Sequence, residues 1–310
     1  MTTPHGPVLL IANPRSGRGK LHAMRETTAL LDASGVTYSV EITRAPGHAT
    51  ELAHRGVTEQ GFRFVVAVGG DGTVNEVVNG LVDPISGAPN GDELVLGVVP
   101  GGSGCDFLKT WGLDVPIQRL VPNHLLTEVV LPIDLGRMTY RGPDGAEQTR
   151  LFANIAQCGW GADVTRRANA LPRVVGPARY VLSTIFSTVR LGAVETTLTI
   201  DHTSVSEPVT EIVVANGQFF GGGMKVAPRA LPDDGSFNVQ SWRGGVKEVF
   251  ENLPKISSGE HLSSATVREW QSSTVRVESV TPMTVEADGE VLGTTPASFE
   301  VLSRVLSLSA

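Results

Sequence analysis

Short apolar runs alternate with stretches of helical periodicity through the first part of the chain. Val8 to Ala12 is uniformly apolar, Leu21, Met24 and Leu31 follow at helical spacing, and Val36 to Ile42 returns to a strand pattern, which predicts β-α-β. The alternation repeats with Phe64 to Val68, a helix carrying Val74, Val77, Val78 and Leu81 at i, i+3, i+4 and i+7, and a strand from Leu94 to Val99. Strands that read as continuous apolar runs belong to parallel sheets whose crossover helices bury both faces. Residues 1–131 are therefore expected to form a doubly wound, mostly parallel α/β domain.

After Pro132 the pattern changes to strand-like segments with few helices between them: Thr197 to Ile200, Ile212 to Ala215, Ser236 to Gln240, Thr274 to Val277 and Thr284 to Glu286. Alternation and β-branched residues predict a mainly antiparallel domain over residues 132–298. Two helical insertions interrupt it, Val164 to Ala170 and Pro177 to Leu191.

A chain of 310 residues is longer than one core usually organises, which agrees with two domains. The net charge of −7 offers no general attraction to nucleic acid or anionic lipid. Cys105 and Cys158 lack metal-ligand spacing, and the N-terminus lacks a charged-then-apolar signal, so a cytoplasmic protein is expected. No apolar run approaches the roughly 18 to 20 residues needed to span a bilayer. A lipid substrate would have to be reached from the water side, with the protein peripheral on the inner face of the membrane.

Three glycine-rich segments fall at the ends of predicted strands: Asn13-Pro14-Arg15-Ser16-Gly17, Gly69-Gly70-Asp71-Gly72-Thr73, and Pro100-Gly101-Gly102-Ser103-Gly104-Cys105-Asp106. Ligands of open α/β sheets bind outside the carboxyl ends of the strands, where bare amides at helix N-termini attract phosphate. In the middle segment, Thr73 is placed to cap the following helix and Asp71 to face a metal ion or its water. The Walker pattern is absent, as is a dinucleotide fingerprint. A hydrolase elbow around Ser103 fails because Cys105 stands where its last glycine belongs.

The blocks Asn13-Pro14-x-Ser16-Gly17 and Gly69-Gly70-Asp71-Gly72-Thr73-x-Asn75-Glu76 resemble the catalytic domain of diacylglycerol and sphingosine kinases, and the second block also resembles NAD kinases and, loosely, phosphofructokinases. Val98 to Phe107 resembles the lipid-kinase segment Pro-x-Gly-Thr-x-Asn-Asp-Phe. Asn216-Gly217 with Gly221-Gly222-Gly223-Met224, Pro228, Ala230 and Asp233-Asp234-Gly235 resembles its second-domain signature, which NAD kinases lack. Asp288-Gly289-Glu290 matches the acidic segment opposite the nucleotide in bacterial members.

The resemblance implies an NAD kinase-like α/β domain completed by residues 299–310, a β-rich substrate domain, and ATP-dependent phosphorylation of a lipid hydroxyl, by default diacylglycerol giving phosphatidic acid. It implies that Asn13, Ser16, Gly17, Thr43, Gly69, Gly70, Asp71, Gly72, Thr73, Val74, Asn75, Glu76, Gly102 and Ser103 cradle ATP. Asp288 is then the general base with Glu290 as partner or substitute, and Asp234 with the carbonyls of Leu231 and Ser236 is a second-domain Mg2+ site, a set of oxygens that suits this ion. Asp134 also matches, at the domain junction.

Two positions depart from the pattern, Ser103 for Thr and Cys105 for Asn. The thiol is a weak substitute for an amide, and it lends some weight to a non-catalytic lipid- or nucleotide-binding relative; an NAD kinase is the third reading. Arg166, Arg167, Arg173, Arg179 and Arg190 lie among apolar residues in an acid-free stretch from Val164 to Val194, which fits either an anionic lipid surface or an ordinary solvated helix face.

Overall fold

The computed structural model describes residues 3–16, 21–101, 105–170 and 192–310. Four parallel strands open the chain: β1 (Val8–Ala12), β2 (Tyr38–Ile42), β3 (Phe64–Gly69) and β4 (Val95–Pro100). They lie in the order β2-β1-β3-β4. The connections are α1 (His22–Ala33), α2 (His48–Thr58) and α3 (Asp71–Leu81). Every residue of β1 and β3 is buried, so the continuous apolar runs reflect a sheet covered on both sides. On α3, Val74, Val77, Val78 and Leu81 enter the core beneath it.

Helix α3 packs against α2 at unusually short range. A Cβ on Gly80 would stand 2.4 Å from the Thr50 carbonyl oxygen, so only glycine fits there. Glu76 reinforces the contact: its carboxylate accepts the Ala49 N–H at 3.0 Å and its carbonyl accepts the Thr50 hydroxyl at 2.8 Å. A carboxylate at the N-terminus of α2 is also favourably placed in the field of that helix.

The remaining strands are mainly antiparallel: β5 (Val130–Arg141), β6 (Glu147–Phe152), β7 (Ile155–Gly159), β8 (Val194–Ile200), β9 (Thr203–Val209), β10 (Glu211–Ala215), β11 (Phe237–Trp242), β12 (Val267–Ser272), β13 (Thr274–Ser279), β14 (Thr284–Ala287) and β15 (Glu290–Ser309). Between β4 and β5 lies α4 (Asp106–Thr110), and α5 (Ile117–Leu120) follows it. Helix α6 (Trp160–Ala170) begins four residues before the predicted Val164 because Trp160 donates its N–H to Thr210 at the sheet edge. The predicted helix over Pro177 to Leu191, with Arg173, Arg179 and Arg190, lies outside the described residues.

The expected boundaries at 131/132 and 298/299 both fall inside strands. β5 and β15 pair antiparallel from Thr294 to Ser309, while Ser307 and Leu308 of β15 also pair in parallel with Val95 and Leu96 of β4. Leu306 and Leu308 are buried in the first core together with Leu9, Phe64 and Leu96. The two halves thus share a β-ribbon in place of a flexible linker.

Candidate active site

The carboxyl ends of β1, β3 and β4 bring the glycine-rich segments into contact. Gly101 donates its N–H to the Gly69 carbonyl at 2.7 Å, and Asn13 donates its N–H to the Val68 carbonyl at 3.0 Å. A Cβ on Gly101 would lie 2.7 Å from Ser16 Cβ and 3.0 Å from Gly69 Cα, so the approach of the three turns requires glycine. The Asn13 amide donates to Thr73 Oγ1 at 3.2 Å while its carbonyl accepts the Arg15 N–H at 2.9 Å.

Gly70, in extended geometry, occupies the N-cap position of α3, and Thr73 sits within the first turn as the acceptor from Asn13, so the expected capping role of Thr73 falls to Gly70. With no side chain at Gly70 or Gly72, nothing within 4 Å fills the space beside these two residues. Open amides at a helix N-terminus suit an anion. The resulting cleft encloses about 270 Å³ and is lined by Asn13, Ser16, Thr43, Gly70, Gly72, Thr73 and Glu76 from the expected nucleotide set, by Arg15 and Arg44, and by Glu290 from the other half of the molecule.

Other expected residues stand differently. Val74 turns its side chain into the core. Asp71 accepts the N–H groups of Asp106 and Phe107 at 3.2 and 3.0 Å, one on each carboxylate oxygen, anchoring the start of α4. Burial, more than the nearby Asp106 and Asp288, pushes its pKa up to about 6. Cys105 is buried, and burial drives its thiol far above the usual range, so it acts as a neutral packing group. Gly17, Gly102 and Ser103 lie outside the described residues.

Asp288 and Gly289 form the two-residue turn between β14 and β15, with φ of 48° and 86°, a pairing typical of tight hairpins. The side chain of Asp288 is nevertheless not solvated as in an ordinary turn. Its carboxylate accepts four hydrogen bonds: from the Asn75 amide and the Ala153 N–H at 2.8 Å each, and from the Asn154 and Ile155 N–H groups at 3.0 Å each. Burial raises its pKa against the lowering effect of these donors.

Arg150, on β6, completes the arrangement. Its Nε and one terminal nitrogen donate to the Asn75 carbonyl oxygen at 3.2 and 2.8 Å, and the same terminal nitrogen lies 2.7 Å from Glu290 Oε2. Asn79 donates to the Leu151 carbonyl and accepts its N–H, clamping α3 to β6. Sequence reading missed Arg150 and Arg44 as site residues and included Arg15 only as part of its glycine-rich segment. Arg150 lies in no motif, and its partner Asn75 is 75 positions away.

Loop 231–236 is tied to the junction through Asp134, which accepts the N–H groups of Gly235 and Arg304 at 2.7 Å each. Asp234 accepts the Ser236 N–H at 2.9 Å and donates its own to the Leu231 carbonyl at 3.4 Å. Burial, then Asp134 and Asp233, raise its pKa. The Asp234 carboxylate, with the Leu231 carbonyl in the same turn and Asp134 and Asp233 nearby, offers the oxygen donors that suit Mg2+ with several of its waters retained. Among the described residues no cluster of three or more His, Cys, Asp or Glu side chains is placed for a metal.

A parallel α/β domain facing an antiparallel β domain across a glycine-lined cleft, with the Glu290 carboxylate on the far wall, has the architecture of a two-domain small-molecule kinase. Residues 7–138 match the diacylglycerol kinase catalytic domain, and residues 154–310 match the YegS C-terminal NAD kinase beta sandwich-like domain. The chain belongs to the diacylglycerol kinase family that carries these two domains in tandem, and it is a lipid kinase. Membership of a kinase family implies use of ATP.

The diacylglycerol kinase of Staphylococcus haemolyticus (strain JCSC1435) is 27% identical over 298 residues, 95% of this chain and 85% of its own. That of Bacillus subtilis (strain 168) is 27% identical over 299 residues, 95% of this chain and 93% of its own. The crystal structure of a diacylglycerol kinase from Bacillus anthracis str. Sterne is similar with a TM-score of 0.71 at 21% identity, covering 98% of this chain and 96% of that one. Yeast NADH kinase complexed with NADH gives 0.52 at 12% identity, covering 97% and 82%. The structural likenesses concern the fold.

Proposed function

We propose that this lipid kinase transfers the γ-phosphoryl group of ATP to the hydroxyl of diacylglycerol, giving phosphatidic acid. The observation that carries the reading is the single cleft in which the open amides of Gly70 and Gly72 face Glu290. Phosphoryl transfer requires positioning, charge neutralisation and a group to receive the hydroxyl proton. Amides at the start of α3 with Arg15 and Arg44 supply the first two for the phosphates, and Asn13, Ser16, Thr43 and Thr73 supply polar contacts. The Asp288–Glu290 hairpin supplies carboxylates at the interface of the two halves.

Asp234 with the carbonyls of Leu231 and Ser236 would hold Mg2+, which when bound would fix the loop against Asp134. Among the described residues no helix is long and apolar enough to cross a membrane, and the lipid is proposed to be met at the surface. Arg166 and Arg167 on α6 are the residues offered for that contact, although Arg166 already pairs with Asp163 at 2.7 Å.

The test is transfer of labelled γ-phosphate from ATP, with Mg2+, to detergent-dispersed diacylglycerol, sphingosine, ceramide and NAD. Labelled phosphatidic acid supports the reading. Label on NAD alone overturns it in favour of a nucleotide kinase, and bound ATP with no transfer to any acceptor indicates a binding protein.

A further inference from the structure

We propose that His48 is a positioning residue for the nucleotide: as a neutral imidazole it holds the turn from Thr43 to Gly47 in the shape that walls the cleft, and its protonation releases that wall. The inference rests on the reading of the cleft as the ATP site and concerns binding, apart from the chemical step.

The turn joins the end of β2 to the start of α2, and Thr43, Arg44, Ala45, Pro46 and Ala49 line the cleft. Its first residue is fixed to the sheet, Thr43 donating its N–H to the Ala12 carbonyl at 3.0 Å. The far side is fixed by Glu76, which accepts the Ala49 N–H at 3.0 Å. Between these anchors the chain passes through Gly47 at φ 82°, in the left-handed region, and closes on His48. The His48 N–H donates to the Ala45 carbonyl at 3.2 Å, and Nδ1 of the His48 ring accepts the Arg44 N–H at 3.1 Å.

The second contact assigns the state of the ring. A backbone N–H can only donate, so Nδ1 carries the lone pair and the proton of the neutral imidazole sits on Nε2. An imidazolium has a donor at each nitrogen and no acceptor. On protonation one N–H would face another, the contact would break, and Arg44 would lose its tie to the start of α2. Histidine changes charge between about pH 5 and 8, so the wall is intact at the upper end of that range and loosened at the lower. ATP affinity is therefore favoured on the alkaline side and falls as the ring takes up its proton.

The charged groups around the turn are Arg44 within it, Glu51 in the first turn of α2, Glu76 on α3, and Arg15 and Glu290 lining the same cleft. Farther along the same packing, Arg55 of α2 pairs with Glu41 of β2 at 3.3 Å. Two of these carboxylates thus already have partners, Glu76 in the Ala49 N–H and Glu41 in Arg55.

The experiment measures the dissociation constant of ATP with Mg2+ by calorimetry from about pH 5.5 to 8.5, the range that spans histidine titration. Wild type, His48→Ala, His48→Asn and His48→Gln are compared, with KM for ATP, kcat and the melting temperature recorded for each. Asparagine sets its carbonyl oxygen near the place of Nδ1 and does not titrate, whereas glutamine sets its oxygen nearer the place of Nε2. At the upper pH, His48→Ala and His48→Gln are expected to bind ATP about fivefold more weakly, the loss of one hydrogen bond, with the change in KM and not in kcat. His48→Asn is expected to recover most of that affinity. Toward acid pH the wild type should weaken relative to His48→Asn by about the same factor. Nitrogen-15 imidazole spectra, assigned by the resonances missing in His48→Ala, should show Nδ1 bare and Nε2 protonated at the upper pH.

Unchanged ATP affinity in His48→Ala with a lowered melting temperature would make His48 a brace for α2 alone and overturn the positioning role. A wild-type profile parallel to that of His48→Asn would overturn the effect of protonation, and a proton on Nδ1 at the upper pH would overturn the hydrogen bond. A wild type that binds no ATP at any pH sinks the nucleotide reading of the cleft instead, and the nitrogen spectra still decide whether the ring holds the turn.

Discussion

The Asn75 side-chain amide donates to the Asp288 carboxylate across 2.8 Å, joining residues 213 positions apart and coupling α3, whose start lines the cleft, to the hairpin of the second half. Asn75 is only 1% exposed, so water cannot replace what it provides. Replacing it with leucine removes one donor from Asp288 and leaves Arg150 without its carbonyl acceptor. Hydrogen bonds to charged groups contribute about 1.5–3 kcal/mol, and the expected loss of stability for Asn75→Leu is about 2–3 kcal/mol. Urea unfolding measures it; a loss near zero would mean that the two halves are held together elsewhere.

Gly80→Ala sets two effects against each other. Alanine is favoured over glycine inside a helix by about 1 kcal/mol, whereas overpacking of a rigid contact costs about 1–3 kcal/mol. The nearest obstacle is a backbone carbonyl, which cannot turn aside as a side chain would. The clash should win, with a lower melting temperature and separation of α2 from α3. A stabilised variant would show that the two helices slide freely.

Glu286 is buried beside the β14–β15 hairpin, accepting from the Gln157 amide and the Gly289 N–H. Burial, assisted by Asp288, pushes its pKa up to about 8 from 4.5. Folding therefore takes up a proton between these two values. The associated stability is fully present below pH 4.5 and is lost as pH rises through about 8, with a slope of up to about 1.4 kcal/mol per pH unit. Glu286→Gln cannot titrate, so its denaturation midpoint should depend less on pH across this window than that of wild type. Parallel profiles would place the proton elsewhere, for instance on the equally buried Glu211, whose pKa also lies well above its ordinary value.

Arg44 is exposed at the mouth of the cleft, and among the described residues no carboxylate is ion-paired with it. Bound phosphate would supply its partner. Arg44→Ala is expected to raise KM for ATP about tenfold, consistent with loss of one charge-assisted hydrogen bond, while leaving the melting temperature of the free protein unchanged. Arg15→Ala should behave alike. An unchanged KM in both would remove these arginines from the phosphate site.

The elements of the first half were legible because a buried parallel sheet leaves long unbroken apolar runs, as in Phe64 to Val68, and glycine turns fall at their ends. Much of the second half was less legible. β6 reads Glu-Gln-Thr-Arg-Leu-Phe and β9 contains Pro208, patterns that local propensity does not mark as strand. Their pairing depends on partners brought from elsewhere in the chain. β15 was not among the expected strands: its register shifts between Thr294 and Ala297 and again between Leu302 and Leu306, breaking the alternation.

By itself the sequence determined that three glycine-rich turns follow three apolar strands and that an Asp-Gly-Glu segment stands near the end, since local geometry and residue chemistry leave their marks on short spans. Only the tertiary structure decided what each charged group does. Asp71 anchors the start of α4, Asp288 accepts four donors, and Glu290 reaches the cleft with Arg150 on one of its oxygens. The reason is physical: the role of a carboxylate is set by how many donors surround it and how much water reaches it, and here those donors come from segments far apart in the chain.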